Sequence, residues 1–341
     1  MYTIQLTVES VAQQMALFGP HDDHVRIIER ALSVTINARN SIIEISGEDE
    51  NAVNDAGRVL DSLKQVYKKD ELINPDMVHR MVDLVESGNV RDGLEAMDDV
   101  VVLTHTGKPI KCKTIGQKNL VDALEKTSVT VCIGPAGTGK TFLAVAQAVA
   151  EFKLGEIERI IMSRPAIEAG EERLGFLPGD LAQKVDPYLR PLYDALNDIL
   201  GAETARKFQE KGIIEIAPLA YMRGRTLSNA RIIIDESQNA SLQTLKMALT
   251  RLGEGSKMVL TGDVTQIDLP KATTSGLQKV ATILKSVEGV SIVHLNNRDV
   301  VRNKIVRDII KAFEKEENRQ QEKAVQMERR AKGNHSVRTQ K

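Results

Sequence analysis

The sequence predicts an α/β protein: a parallel sheet with helices on both faces, preceded by a small α+β unit. Three observations predict it. Apolar, strand-like runs at 128–133, 158–163, 212–217, 230–235, 256–261 and 289–295 alternate with helical stretches, the pattern of strands joined by helical crossovers. A glycine-rich run, Gly134 to Thr141, stands between the first of these strands and a helix rich in Ala and Leu. Residues 1–66 follow a different order of elements and form a unit of their own.

In that first unit, Tyr2 to Val8 alternates apolar and polar residues and reads as a strand. Ser10 is placed to cap a helix running to Phe18, and Asp22 or Asp23 to cap a second, Val25 to Leu32. Two β-rich runs, Ser33 to Ala38 and Ser41 to Ser46, meet at Arg39-Asn40. Glu50 to Tyr67 is helical, with Val53, Ala56, Val59, Leu60, Leu63 and Val66 on one face. This order resembles a KH-like RNA-binding module. Such modules clamp the RNA backbone with a Gly-x-x-Gly loop, but here Gly19 is followed by Asp22 at the second glycine position. The unit carries 10 acidic and 5 basic residues, a net of −5 that repels phosphate, so a docking module that does not grip RNA is the bland alternative.

Residues 67–113 read as a connector, with a helix opening at Asn74-Pro75 and a hairpin turning at Thr106-Gly107-Lys108. The sheet-forming domain is expected over 114–317. Residues 318–341 hold seven basic and two acidic groups and predict a fraying helix that becomes a disordered basic tail, open to RNA contact or to a role in solubility.

Composition narrows the function classes. Of 341 residues, 46 are Lys or Arg and 47 Asp or Glu, so the net charge of −1 excludes a uniform polycation. With 5 Tyr, 6 Phe and no Trp, base-stacking platforms are disfavoured. Two cysteines make no disulfide framework, and the absence of a signal pattern or a long apolar run predicts a soluble, cytoplasmic protein with no membrane partner.

The chemistry concentrates in four stretches. Gly134-Pro135-Ala136-Gly137-Thr138-Gly139-Lys140-Thr141 fits the phosphate-loop pattern in its strand–loop–helix setting. Its glycines let backbone N–H groups approach phosphate oxygens, Lys140 is placed to reach the β- and γ-phosphates, and Thr141 to bind Mg²⁺. Asp235-Glu236 ends a buried strand, where Asp235 suits Mg²⁺ held through water and Glu236 suits the attacking water. Thr261-Gly262-Asp263-Val264-Thr265-Gln266 ends another, and Gln266 is a candidate contact for the γ-phosphate. Gln117, at the start of an upstream helix, carries an amide able to pair with N6 and N7 of adenine.

Together with these motifs, Ser163 to Gly170, Leu174 to Asp180, Asp186 to Asp194, Met222 to Leu227 and Asp235-Glu236-Ser237-Gln238-Asn239 resemble the PhoH family, bacterial P-loop ATPases whose core is similar to superfamily 1 helicase motors. The likeness spans residues 99–315, with Ser237 where the family usually has Ala and Asn303 where His is common. The resemblance implies ATP hydrolysis with Mg²⁺ linked to RNA metabolism, and an RNA-processing protein as a possible partner. Only one phosphate loop is present, so a homo-oligomer, in ring form or otherwise, is expected to complete the cleft with an arginine in trans. Arg302 is the first candidate and Arg298 the second. Arg164, Arg190, Arg223 and Arg225 are candidates for RNA or phosphate contact, although Arg223 and Arg225 could equally bind carboxylates such as Glu171 and Glu172. A nucleotide-dependent switch and a small-molecule kinase are the competing classes.

Overall fold

The structure, a computed structural model, describes residues 1–68, 72–86, 88, 99–165, 181–270 and 273–301, with 181–187 by backbone alone, and a few positions between 305 and 319. Residues 1–301 form one compact unit.

At its amino end lie β1 (Tyr2–Thr7), α1 (Val11–Phe18), α2 (Asp23–Leu32), β2 (Thr35–Arg39), β3 (Ile42–Gly47) and α3 (Glu50–Lys68), the expected order of elements. The strands form an antiparallel sheet in the order β1-β3-β2. Ser10 caps α1 by accepting from the Gln13 N–H. The cap expected at the next helix differs. Asp22 precedes α2 with a left-handed backbone, φ 62°, and its side chain makes no cap hydrogen bond, because a side-chain cap requires an extended residue there. The face predicted for α3 is the buried one. It packs with α4 (Pro75–Glu86), whose Val78, Met81, Val82 and Val85 belong to this same core.

A hairpin of β4 (Val100–Leu103) and β5 (Pro109–Lys111) leads into α5 (Ile115–Lys126). Then follow β6 (Val129–Ile133), α6 (Lys140–Leu154), β7 (Arg159–Arg164), α7 (Leu181–Leu200), α8 (Ala202–Glu210), β8 (Ile214–Pro218) and β9 (Ala230–Ile234). The domain ends with α9 (Leu242–Leu249), β10 (Lys257–Gly262), α10 (Leu277–Leu284) and β11 (Val290–His294). All six predicted strands form one sheet in the order β11-β6-β10-β9-β7-β8, and every pair is parallel.

The strands read as continuous apolar runs because both faces of the sheet are covered. Alternation divides the four central strands between two cores. Cys132, Ile160, Met162, Ile233 and Val259 face α5 to α8, whereas Val131, Ile133, Ile161, Ile232, Ile234 and Leu260 face α9 and α10. No described helix is long and apolar enough to cross a membrane.

Burial also defines two chemical features. Both thiols lie inside, and desolvation pushes the Cys112 thiol up to about 11 and that of Cys132 to about 12. Neither is expected to react with a disulfide reagent at neutral pH in the native chain, while both become titratable on unfolding; a thiol count in native and denaturing buffer checks this. On β9, Arg231 is fully buried against Glu151 of α6, with Nε donating to Oε2 at 2.8 Å and Nη2 donating to Oε1 and, at 2.8 Å, to the Leu124 carbonyl. This pair ties the helix that follows the glycine-rich loop to the strand that carries Asp235. Glu151→Ala, which leaves the guanidinium buried without its carboxylate, is expected to cost about 3–5 kcal/mol in a denaturant titration.

Candidate functional site

The glycine-rich loop runs from the carboxyl end of β6 into the amino end of α6. Gly139 precedes the helix at φ 82°, a left-handed conformation that side-chain-bearing residues adopt only at a cost. Thr138 Oγ1 closes the loop on the Pro135 carbonyl at 2.8 Å. Lys140 folds back over it, with Nζ donating to the carbonyls of Gly134 at 2.6 Å and Pro135 at 2.9 Å. Burial holds the Lys140 ammonium below its ordinary value near 10.5, against the opposing pull of the nearby acids, Asp263 among them.

The Asp-Glu pair stands at the end of β9, and β10 lies between β9 and the loop-bearing β6. Asp235 Oδ1 nevertheless meets the loop, accepting from Thr141 Oγ1 at 2.6 Å and from Thr261 Oγ1 of β10 at 2.7 Å. Glu236 has a left-handed backbone, φ 51°, the kind of local strain that surrounding contacts must hold in place. Arg164 Nη2 donates to Glu236 Oε1 at 2.5 Å and lies 3.4 Å from Asp235 Oδ2, while Nη1 donates to the Tyr188 carbonyl at 2.8 Å. The Ser237 hydroxyl, the departure noted above, donates to the Ile234 carbonyl at 2.8 Å and is fully buried.

The turn after β10 completes the floor. Asp263 Oδ2 accepts from the loop's Ala136 N–H at 2.9 Å and from Gln266 Nε2 at 3.1 Å. Gly137, Lys140, Thr141, Asp235, Glu236 and Gln266 all line one cavity of about 270 Å³. A neighbouring cavity of about 460 Å³ shares Gly137, Gly139 and Phe142 with it and adds Gln117 and Leu143. Gln117 is buried there, its Nε2 donating to the Thr138 carbonyl at 2.9 Å and its Oε1 accepting from the Lys113 N–H at 2.7 Å. It therefore braces the loop, and among the described residues its Nε2 donates to this one acceptor.

The arginines divide. Arg164, expected at an RNA or phosphate contact, turns inward onto Glu236, because the end of β7 lies beside the end of β9. Arg225 binds Glu215 of β8 through both oxygens at 2.5 and 2.6 Å, a carboxylate that takes the place of the Glu171 or Glu172 expected from sequence. Arg190 and Arg223 are exposed. Arg298 is exposed in a short turn where Asn296 and Asp299 form a capping box. Arg302, Glu171 and Glu172 lie outside the described residues. Sequence reasoning missed Asp263, Thr261 and Gln238 as parts of this site. The polar run Thr261-Gly262-Asp263 was visible, but its contacts cross between strands.

A glycine-rich loop between a buried parallel strand and a helix, hydrogen-bonded to an Asp-Glu pair one strand removed, defines a protein of the P-loop class. The PhoH-like protein family model matches residues 109–314, and the chain belongs to that family. A PhoH-like protein of Bacillus subtilis is 47% identical over 306 residues, covering 89% of this chain and 95% of that one. One from Synechocystis is 45% identical over 316 residues, 93% of this chain and 96% of that one. Protein PhoH of Escherichia coli is 35% identical over 300 residues, 87% and 82% of the two chains.

Proposed function

We propose that this chain binds ATP and hydrolyses it to ADP and phosphate, in work linked to RNA. The observation that carries this reading is the convergence of Lys140, Thr141, Asp235, Glu236 and Gln266 on one cavity beside the glycine-rich loop. The loop's backbone N–H groups and the Lys140 ammonium suit the phosphates. Thr141 Oγ1 and Asp235 Oδ1, both hard oxygens and 2.6 Å apart, fit the sparse ligand set of Mg²⁺, which keeps most of its waters and takes phosphate oxygens. Bound there, Mg²⁺ would neutralise charge on the β- and γ-phosphates. Glu236 orients a water, Gln266 meets the terminal phosphate, and Gln117 reads adenine from the neighbouring cavity. On this reading residues 114–317 are the ATPase domain and residues 1–66 dock a partner, whether RNA or an RNA-processing protein. A second copy of the chain supplies an arginine, Arg302 or Arg298.

A nucleotide-dependent switch is the second reading, favoured by the ion pair of Arg164 with Glu236, which keeps the water-orienting carboxylate engaged within the chain. An ATPase assay with and without single-stranded RNA separates the readings. Release of ADP and free phosphate without an added acceptor excludes an obligatory kinase. Stimulation by RNA with strand separation supports a motor; an ATP-dependent change in partner affinity without strand separation supports the switch.

A further inference from the structure

Gln238 is fully buried two positions beyond Glu236. Among the described residues its side chain joins the Glu236 carboxylate directly to the Asp263–Gln266 turn. Nε2 donates to Glu236 Oε2 at 2.5 Å and to the Gln266 carbonyl at 3.0 Å, while Oε1 accepts from the Asp263 N–H at 3.0 Å. These partners dictate the chemistry of the position. Two acceptors at one end and a donor at the other require an amide, and they fix which end is nitrogen, since a flipped amide would set its oxygen against a carboxylate. Glutamate would face Glu236 with like charge, methionine would leave all three partners unmet, and asparagine is one methylene short. The backbone is shaped to match: a β-carbon on Gly262 would come within 2.7 Å of Gln238 Oε1.

The Glu236 carboxylate is thus held at both oxygens, by Arg164 on one and Gln238 on the other. The second grip continues to the phosphate loop, because Asp263, whose N–H Gln238 accepts, itself accepts from Ala136 N–H and from Gln266 Nε2. We infer that Gln238 is a positioning residue for hydrolysis: it sets the direction of the Glu236 carboxylate relative to the turn that carries Gln266. This inference rests on the reading of Glu236 as the residue that orients water. A carboxylate misdirected by about 1 Å loses a large factor in rate while ground-state binding of the nucleotide, made by the loop, is untouched.

Gln238→Glu tests it, because that variant keeps an oxygen for the Asp263 N–H and removes the donor to Glu236 and Gln266. Its kcat for ATP is expected to fall about tenfold to a hundredfold with KM within about twofold of the parent. Gln238→Met, of similar length and without charge, should lose turnover in the same way while still binding ADP and melting cooperatively. Combined with Glu236→Gln, Gln238→Glu should cost no further turnover, since the group it positions is already replaced. Parental kcat in Gln238→Glu, or a loss that multiplies with that of Glu236→Gln, overturns the inference. So does loss of ADP binding in both variants, which would make the role structural. Full turnover in Glu236→Gln alone would instead sink the reading of Glu236 on which the inference stands.

Discussion

Glu236→Gln is expected to bind ATP as the parent does and to lose turnover by about 100- to 10,000-fold, the range for removing a positioned acid–base group. The substitution keeps the size of the side chain and an oxygen for Arg164 or Gln238, so the fold of the strand end should persist. What it removes is the carboxylate that faces the cavity shared with Lys140 and Thr141. Binding by equilibrium titration and phosphate release under single-turnover conditions separate the two effects. Undiminished phosphate release would reject the role given to Glu236 and leave Asp235 and Gln266 to account for the chemistry.

Lys140→Met is expected to abolish tight nucleotide binding and turnover together, and to raise thermal stability at neutral pH. On the proposed reading, loss of function follows from removing the one ammonium in the loop, the group that would stabilise phosphate charge in both ground and transition states. Gain of stability is expected where the desolvation of the buried ammonium outweighs its two hydrogen bonds to the loop carbonyls, and that desolvation also sets the sign of its titration shift. Burial lowers the Lys140 ammonium below its ordinary value, so the folded chain binds that proton less tightly than the unfolded chain does. The protonated lysine therefore costs stability at pH values below its folded value. That cost fades as pH rises through the folded value towards the ordinary one. Methionine removes the cost and leaves the Gly134 and Pro135 carbonyls to water. Melting curves for parent and variant should lie furthest apart near neutral pH and approach each other in strongly alkaline buffer. A variant that melts lower than its parent at pH 7 would show that the two hydrogen bonds outweigh desolvation. Either outcome bears on whether the site is strained for function, as binding sites commonly are.

Glu151→Ala and the buried thiols probe the scaffold instead. Neither outcome changes the assignment of the loop.

Local signals made much of this protein legible. The strand runs were readable because burial on both faces leaves no polar alternation, and all six appear in the sheet within a residue or two of their expected ends. The glycine-rich loop was readable because its glycines, Lys140 and Thr141 act through adjacent backbone positions, so their spacing in sequence is their geometry. Asp235-Glu236 was readable for the same reason, as the polar end of an apolar strand. The cap at Asp22 was misjudged because residue type does not fix the sign of φ, and a left-handed residue there turns capping off.

The tertiary structure decided what crosses between strands. Arg164 and Glu236 stand 72 positions apart, and only the parallel pairing of β7 with β9 brings a cation offered to solvent in sequence onto the carboxylate of the site. Gln238 and the Gln266 carbonyl are separated by 28 positions, and Ala136 and Asp263 by 127. The insertion of β10 between β6 and β9 places its Thr261, and Asp263 in the turn that follows, where both the loop and the acidic pair can be reached. Sequence by itself determined which residues are candidates for phosphate chemistry, since their motifs are short and contiguous. The order of strands determined which of them touch, since a hydrogen bond needs about 3 Å and chain separation sets no such distance.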